Sequence, residues 1–483
     1  MTHPPLQARP WATLWTLMIG FFMILVDSTI MSVATPAIMS DLQIDVSAAI
    51  WVTSAYLLAY AVPLLITGRL GDRFGTKNLY LLGLVVFTLA SFACGLSGDL
   101  STLVISRVVQ GIGAALIAPQ TMAIITRIFP AANRGPAMAM WGTIGGLGAL
   151  VGPQLGGLII GAISWSWIFF VNIPIGIIGF ALALRFVPRL PTSSHRLDVA
   201  GVLLSSAGMF CLVFGVQEGD RFSWGTITGW LSVPLLIGTG IALLAGFVLW
   251  QARNKSEPLI PLQLFKQRDF CLASIAMATM GFAITCIALP LMLYAQNARG
   301  FSPTNSALLL LPLALVMAIA APIVGRLINR VSTRTLAAAG FACTLGSLFW
   351  LGAILGPETP IWQLEIPIGL IGLGNAFIAS PLSTTAVRNL PIQLAGAGSG
   401  VFNAIRQLGA VLGSASIAAL ITARLTAEIP DSPTALDYTF GYASAMGQSL
   451  FLPAVVLVLG LIMAMFFRTQ NPKPATTGAG DRS

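Results

Sequence analysis

The chain has 483 residues, of which 56% are hydrophobic and only 8% are charged, with a net charge of +9 and a mean hydropathy of +0.87. Because soluble domains carry about 25% charged residues, this composition excludes a water-soluble protein and predicts an integral membrane protein. The basic residues lie between apolar segments, which is typical of membrane loops and argues against a nucleic-acid partner.

Fourteen segments are long and apolar enough to cross a bilayer, which takes about 20 apolar residues each. The first begins near Ala12 and has no small-residue cleavage site after a short apolar core, so we interpret it as an uncleaved span rather than a signal peptide. The runs are continuous and lack the alternation of outer-membrane strands. The predicted spans are 13–38, 49–68, 78–98, 101–124, 137–160, 165–186, 198–216, 228–250, 270–294, 304–325, 335–355, 361–382, 397–420 and 445–467.

Basic residues alternate between the two sides of these spans. If the N-terminus is cytoplasmic, the inside segments hold 20 of the 25 Lys and Arg residues, and the outside segments hold Arg221, Arg299 and Arg424. The remaining two, Arg107 and Arg406, lie within spans. Since Lys and Arg are enriched in cytoplasmic loops, this bias predicts a multi-pass protein of the bacterial cytoplasmic (inner) membrane with both termini cytoplasmic.

Two short sequences recur in the second half of the chain. The sequence IGGLGALVG (144–152) resembles IRQLGAVLG (405–413) at an offset of 261 residues, and GRLGDRFGTK (68–77) resembles GRLINRVSTR (325–334) at an offset of 257. The offset predicts two related six-helix halves with two additional spans between them, an arrangement of six plus two plus six. Duplicated helical halves with a site at their interface are typical of secondary transporters.

The repeat and the spans together predict four regions of an all-α integral membrane protein. They are an N-terminal six-helix half (1–190), two inserted transmembrane helices with a linker (191–260), a C-terminal six-helix half (261–470) and a cytoplasmic tail (471–483).

Five motifs occur in the order found in one transporter family. They are DSTIMSVATP (27–36), GRLGDRFGTK (68–77), RVVQGIGAA (107–115), GALVGPQLGG (148–157) and WSWIFFVNIP (165–174). With these motifs the chain resembles the major facilitator superfamily, and in particular its fourteen-helix drug:proton antiporter branch of the EmrB/QacA type. The resemblance extends over nearly the whole chain and implies a major facilitator fold and export coupled to protons.

The resemblance also implies roles for two groups of residues. The loop motif is expected to form a charge lock between the halves on the inner side, and the glycine-rich motif to control leak by close helix packing. In the second copy of the loop motif Asn329 replaces the acid and Ser332 replaces a glycine, so we assign gating to the first copy alone. The gating residues are Gly68, Asp72, Arg73, Gly75 and Lys77, and the antiporter-motif residues are Gly148, Gly152, Pro153, Gly156 and Gly157.

Asp27 is a single carboxylate about 13 residues from either end of the first span, near the middle of the bilayer. Burial favours its neutral form and a nearby cation favours its charged form, so it can exchange a proton when the conformation changes. Arg107 in the fourth span is the predicted partner, and we expect the two to couple transport to protons because ionisable residues within spans are generally functional. The alternatives are a neutral Asp27 bonded to a neighbouring helix and an Arg107 bonded to backbone carbonyls.

Arg406 is a second cation inside a span, and Glu365 lies near the outer end of another. Glu365 is expected to pair with Arg406, to contact a cation independently, or to extend to the membrane interface. Flexible thioethers and aromatic rings suit a cavity for varied lipophilic compounds, although such residues also serve plain packing. The predicted substrate-cavity residues are Met23, Met31, Trp51, Tyr56, Gln110, Met280, Phe282 and Glu365.

These observations predict a proton-coupled multidrug efflux transporter for lipophilic, often cationic, small molecules, working by alternating access. Its partners would be the substrate, protons and the lipid bilayer, and we expect a monomer, no cofactor, no metal and no enzymatic activity. The chain lacks the G-x-x-x-x-G-K-[ST] sequence of ATP-driven pumps. An exporter of one specific metabolite or antibiotic and a proton-coupled uptake symporter are the alternatives, and a periplasmic adaptor is left open.

Overall fold

The computed structural model describes residues 9–192, 198–219, 221–254, 260, 262–328, 330–388, 390, 395–430 and 434–468, without the side chains of some residues in five helices. The predicted tail 471–483 and Asn329 of the second loop motif lie outside these residues.

The described chain is almost entirely helical, because a backbone in lipid must satisfy its own hydrogen bonds. A short antiparallel hairpin of β1 (Thr226–Thr228) and β2 (Leu231–Ser232), a 3-10 turn at Leu262–Lys266 and a π-helical turn at Tyr294–Ala298 are the other elements. The helices are α1 Pro10–Leu42, α2 Val46–Ala61, α3 Leu64–Phe74, α4 Thr76–Gly95, α5 Leu100–Ile128, α6 Ala131–Ala162, α7 Trp167–Phe170, α8 Asn172–Phe186, α9 Val199–Gln217, α10 Val233–Arg253, α11 Arg268–Leu293, α12 Pro303–Leu309, α13 Leu311–Leu327, α14 Thr333–Ile354, α15 Ile361–Arg388, α16 Ala395–Glu428, α17 Ala435–Ser449 and α18 Phe451–Met465.

Several of the scarce acidic residues begin helices. Asp45 accepts a hydrogen bond from the backbone N–H of Ala48 at 2.7 Å, and Asp99 accepts one from Thr102 at 2.9 Å. Each carboxylate satisfies a donor that has no partner within the helix and lies at the positive end of the helix dipole. These acids therefore define where α2 and α5 begin.

Twelve helices or continuous helix pairs among the described residues are long and apolar enough to cross a membrane. The pair α2 and α3, bent by 50° at a break that contains Pro63, makes a thirteenth. Proline has no N–H to donate, so the helix is interrupted there. The predicted span 137–160 lies on α6, of which Val151–Ala162 qualifies as a shorter apolar helix. The all-α membrane-spanning class is confirmed, with a count of twelve or thirteen on the described residues rather than fourteen.

The internal repeat is visible in helix packing. A Cβ on Gly152 of α6 would lie 1.9 Å from Thr29 Oγ1 of α1, and one on Gly413 of α16 would lie 2.5 Å from the Phe282 carbonyl of α11. The two glycines are separated by the same 261 residues as the sequence repeat. Thus α6 packs on α1 as α16 packs on α11, and both contacts need a residue without a side chain. The domain boundaries drawn from the sequence stay a prediction.

The inserted helices α9 and α10 pack closely on each other through Gly208 and Gly240, each of which would bring a Cβ within 3.1 Å of the other's carbonyl. Helix α9 also contacts α2 and α16, which belong to different halves. The insertion therefore lies across the seam between the halves rather than apart from them.

Candidate functional site

Asp27 and Arg107 form an ion pair inside the first half. Asp27 Oδ2 accepts a hydrogen bond from Arg107 Nη1 at 2.6 Å, and neither side chain is accessible to solvent. The two residues come from α1 and α5. The structure brings the predicted partners together, and their role in proton coupling stays a prediction.

Two side-chain amides complete the surroundings of the carboxylate. Asp27 Oδ1 accepts hydrogen bonds from Gln110 Nε2 at 2.8 Å and from Asn172 Nδ2 at 3.1 Å. Both amides also donate to Ser91 Oγ, at 3.1 and 3.0 Å. Sequence reasoning missed the roles of Asn172 and Ser91. Asn172 could have been found from its place in the WSWIFFVNIP motif, whereas Ser91 in an apolar helix gives no such signal.

Arg107 is held from the other side by α2. Its Nε donates to the Val52 carbonyl at 3.1 Å, and its guanidinium carbon lies 4.0 Å from the centre of the Tyr56 ring. Among the described residues Arg107 Nη2 and Asn172 Oδ1 are buried without a hydrogen-bond partner. An unpaired buried polar atom is energetically costly. These two atoms can therefore still form a hydrogen bond with a water molecule or with a side chain that moves during a conformational change.

The charges of Asp27 and Arg107 cancel, so the site as a whole is close to neutral. Removing one member of a buried ion pair leaves the other uncompensated, which typically costs about 3–5 kcal/mol. Adding a proton to Asp27 has a similar consequence for Arg107, and the helices that carry the pair would then rearrange. Because both carboxylate oxygens are bonded within the protein, Asp27 offers no open carboxylate to a substrate cation. An accessible carboxylate was the reason for expecting cationic substrates.

The predicted substrate-cavity residues do not converge on one site in this conformation. Met23, Met31 and Met280 are at most 4% exposed and pack into three separate apolar clusters. Phe282 is half-buried against the core of the second half. Tyr56 and Gln110 belong to the ion-pair site instead. In this state packing accounts for the three methionines, because they fill gaps between helices, and their contact with substrate stays a prediction.

Trp51 contacts the inserted helices. Its Nε1 donates to Glu218 Oε1 at 2.5 Å, and its ring lies 5.6 Å from that of Phe214. Glu218, at the end of α9, is 3% exposed and also accepts a hydrogen bond from Arg221 at 3.3 Å. Glu218 was not predicted from the sequence, although an acidic residue at the end of an apolar segment could have indicated it.

Glu365 and Arg406 are not paired in the described structure. Glu365 is half-buried in the first turns of α15, which begins at the end of the molecule where α1 also ends. Arg406 lies in the first half of α16, which begins at the opposite end. Pairing was one of three possibilities for Glu365, and the roles of both residues stay a prediction.

The loop motif makes its ion pair within one half. Asp72 pairs with Arg127 of α5 through Oδ1 and Nη2, and Lys77 donates to the Leu184 carbonyl at 2.8 Å. The partner shown for Asp72 in the described part of the chain thus belongs to its own half, and a charge lock between the halves stays a prediction.

The other residues of that motif shape the turn. Gly75 joins α3 to α4 with φ +93°, a conformation that favours glycine. Arg73 is exposed and lies 5.4 Å over the ring of Phe74, and Gly68 is half-buried on α3.

The glycine-rich motif lies between α1 and the second half. Gly148, Gly152 and Gly156 leave room for Leu25, Thr29 and Ile30 of α1, and α6 continues through Pro153 without a break. Gly157 lies instead against the second half. A Cβ there would lie 2.8 Å from Ala307 Cβ and 2.9 Å from the Pro303 carbonyl.

Four hydrogen bonds join the two halves in the described part of the chain. Those at the end where α1 and α6 finish are Gln154 Nε2 to the Ala307 carbonyl at 2.8 Å, Thr304 Oγ1 to the Gly157 carbonyl at 2.8 Å, and Gln296 Nε2 to the Val33 carbonyl at 3.2 Å. The fourth, between the Ser54 and Ser414 hydroxyls at 2.8 Å, lies deeper and joins α2 to α16. The halves are thus closed at the end opposite the Asp72 loop.

Two repeated helical halves, joined at one end and with an ion pair buried in one of them, are typical of a membrane transporter. The chain belongs to the Major Facilitator Superfamily, since the sequence profile of that family matches residues 17–414.

Several curated transporters are similar over most of their length. An uncharacterised MFS-type transporter of Mycobacterium tuberculosis is 48% identical over 495 residues, covering 98% of this chain and 85% of that protein. A tetracenomycin C resistance and export protein of Streptomyces glaucescens is 33% identical, covering 89% and 80%. A riboflavin transporter of Clostridioides difficile is 31% identical, covering 96% and 99%. These relatives are transporters rather than enzymes.

Solved structures agree in fold at low sequence identity. An auto-inhibited POT-family peptide transporter has a TM-score of 0.65 at 12% identity and covers 96% of this chain and 98% of its own. A D-xylose–proton symporter has a TM-score of 0.64 at 14% identity, with coverage of 96% and 98%. At these identities the likeness shows the fold alone.

Proposed function

We propose that the protein is a proton-coupled exporter of lipophilic small molecules in the bacterial cytoplasmic membrane. It would have fourteen spans arranged as six plus two plus six, with both termini cytoplasmic, as in drug:proton antiporters of the EmrB/QacA type. The export function of the tetracenomycin C resistance protein supports the direction of transport. The positive-inside bias supports the orientation.

The observation that carries the proposal is the enclosed site around Asp27. Asp27 receives hydrogen bonds from Arg107, Gln110 and Asn172 in the present conformation. When the halves reopen on the other side, these donors separate and Asp27 takes up a proton. Because the donors come from α5 and α8 whereas the acid comes from α1, protonation and helix movement are linked.

Transport proceeds by alternating access in this proposal. In the present conformation the halves are joined at the end predicted to face outward, through Gln154 and Gln296, so the substrate would enter from the cytoplasm. Breaking these hydrogen bonds and closing the opposite end would release it outside. Proton entry to Asp27 from outside and proton release inside would drive the cycle.

Two alternatives remain on the same fold. Several relatives are named for a single compound, such as tetracenomycin C or riboflavin, which favours a specific exporter or carrier over a broad multidrug pump. Uptake by symport would reverse the direction and still use Asp27.

The decisive experiment uses Asp27→Asn, with Asp45→Asn as a matched control because Asn also caps helices well. A host lacking its own exporters would be screened for protection against a panel of lipophilic antibiotics and dyes. The compound giving the strongest protection would then be followed in inside-out vesicles with an acidic interior. We expect accumulation driven by the pH difference, a fall of at least about tenfold in Asp27→Asn, and wild-type rates in Asp45→Asn.

Two results would overturn the proposal. One is accumulation by Asp27→Asn at the wild-type rate with the same dependence on the pH difference. The other is proton-driven accumulation in right-side-out vesicles, which would identify an uptake system.

A further inference from the structure

We infer that Arg406 recognises an anionic group on the substrate, so that the transported compounds are lipophilic aromatic acids rather than cations. The inference rests on the proposed function and specifies its substrate class. A carboxylate, a sulfonate or a phenolate would provide the required group.

Arg406 is the cation within the spans that lacks an acid among the described residues. Arg107 is neutralised by Asp27, but no hydrogen bond or ion pair of the described chain reaches the Arg406 guanidinium. Glu365 lies at a different depth on α15. A charge inside a membrane protein is energetically costly unless it is paired or hydrated. A function is therefore a better explanation for Arg406 than a role in stability.

The position of Arg406 on α16 places it between the two halves. It is close enough to Tyr60 of α2 for the two groups to interact electrostatically. Its backbone and Cγ lie against α11, where a Cβ on Gly281 would be 2.2 Å from the Arg406 carbonyl and 3.3 Å from its Cγ. Although it lies deep in the molecule, its side chain keeps some accessible surface. Arg406 thus lies on a helix that packs against α2 of the first half and α11 of the second.

The internal repeat indicates that packing does not require this arginine. At the repeat offset of 261 residues, Gly148 and Gly152 correspond to Gly409 and Gly413, and all four allow close helix contact. Arg406 corresponds to Gly145 of the first half. At this offset the sequence of the second half therefore has a cation where that of the first half has a glycine.

The surroundings suit an aromatic acid. Tyr60 is paired with Tyr56 at 6.2 Å between ring centres, and Phe282 is half-buried next to Gly281 on α11. Aromatic rings provide flat apolar contacts, while the planar guanidinium can hold a carboxylate or a sulfonate through two hydrogen bonds. Asp27 is enclosed by its own hydrogen-bond donors and is not accessible to a substrate. The charge that a substrate would meet at Arg406 is therefore positive.

Binding of two xanthene dyes tests the inference, because fluorescein is anionic and rhodamine 123 is a cation of similar shape. Fluorescence anisotropy would be measured on the purified protein in lipid nanodiscs without a pH gradient. We expect fluorescein to bind wild type at least about tenfold more tightly than rhodamine 123. We expect Arg406→Gln to weaken fluorescein binding by about 10–100-fold, as for the loss of a charge-assisted hydrogen bond. Arg406→Lys would be intermediate, and Arg424→Gln on the exposed end of the same helix would behave as wild type.

Thermal unfolding provides a second readout if a variant folds poorly. Fluorescein should raise the Tm of wild type and of Arg424→Gln but not that of Arg406→Gln. Removing an uncompensated cation should leave the Tm of ligand-free Arg406→Gln equal to or above that of wild type. A lower Tm together with unchanged fluorescein affinity would assign Arg406 to structure and overturn the inference.

Equal or tighter binding of rhodamine 123 by wild type would also overturn the inference, as would unchanged fluorescein binding by Arg406→Gln. Neither result affects the proposed function, which depends on the Asp27→Asn vesicle experiment. If the wild type exports a cationic compound with the proton gradient and Asp27→Asn does not, the proposed export function is supported and the anionic substrate class is wrong.

Discussion

The carboxylate of Asp27 on α1 accepts hydrogen bonds from three donors on α5 and α8. A single residue therefore links three helices. Arg107 supplies charge, while Gln110 and Asn172 supply neutral hydrogen bonds at 2.8 and 3.1 Å. Tyr56 covers the face of the Arg107 guanidinium, 4.0 Å from its carbon.

At the residue scale, we predict different effects for two substitutions of Tyr56. Tyr56→Phe keeps the ring over Arg107 and loses only the hydroxyl contact with Ser28, at 3.3 Å, so transport should stay within about twofold of wild type. Tyr56→Ala removes a desolvated cation–π contact of about 2 kcal/mol, which corresponds to a fall of about 30-fold in the population of the intact site. Initial transport rates in inside-out vesicles measure both. Equal rates for the two variants would show that the ring does not support Arg107.

Among the elements, α6 contacts helices of both halves, α1 in the first and α12 and α13 in the second. Its glycines at 148, 152 and 156 pack on α1, which carries Asp27, whereas Gly157 and Gln154 contact α12 in the second half. A change in the position of α1 is therefore transmitted to the seam through one helix. This arrangement gives a physical reason for the glycine-rich motif: each glycine removes a side chain at a point where two backbones approach closely.

At the element scale, Gly157→Ala should open the joined end, because its new methyl group would lie 2.8 Å from Ala307 Cβ and 2.9 Å from a backbone oxygen. Overpacking of this kind costs about 1–3 kcal/mol and should shift the population toward the opposite conformation by about 5–150-fold. Gly346→Ala on α14 is the matched control, because nothing lies within 4 Å of a Cβ there.

Distances between spin labels at Ser101 and Glu358, two exposed residues of opposite halves at the joined end, would report the shift. A longer distance in Gly157→Ala, with Gly346→Ala like wild type, is expected. Identical distances in both variants would show that the contact of α6 with α12 does not set the conformation.

For the whole molecule, the inserted helices and the two halves meet along α2 and α16. The Ser54–Ser414 hydrogen bond joins the halves there, and the Trp51–Glu218 hydrogen bond attaches α9 to the same helix α2. If transport requires the halves to rock, contacts along this seam must break or slide in every cycle.

At this scale, we predict that a disulfide between Ser54→Cys and Ser414→Cys stops transport. The two hydroxyl oxygens are 2.8 Å apart, which is close enough for two sulfur atoms to bond after a small adjustment. The variants would be made in a chain whose five native cysteines are replaced, so that no other disulfide forms. Oxidation should abolish transport and a reductant should restore it, while each single cysteine variant stays active. Undiminished transport by the oxidised, fully cross-linked protein would contradict movement of α2 against α16.

The amino-acid sequence by itself determined the membrane class and the repeat, because these depend on local composition and on periodicity along the chain. It also singled out Asp27 and Arg107, since charges are rare and costly in such segments. Asn172 and Ser91 escaped notice because polar uncharged residues are common in spans and their value depends on which helix they face. Only the tertiary structure decided that Asp72 pairs within its own half, that the methionines lie in cores and that Arg406 has no acid beside it. These are contacts between distant segments, and their geometry follows from helix packing rather than from any one segment of sequence.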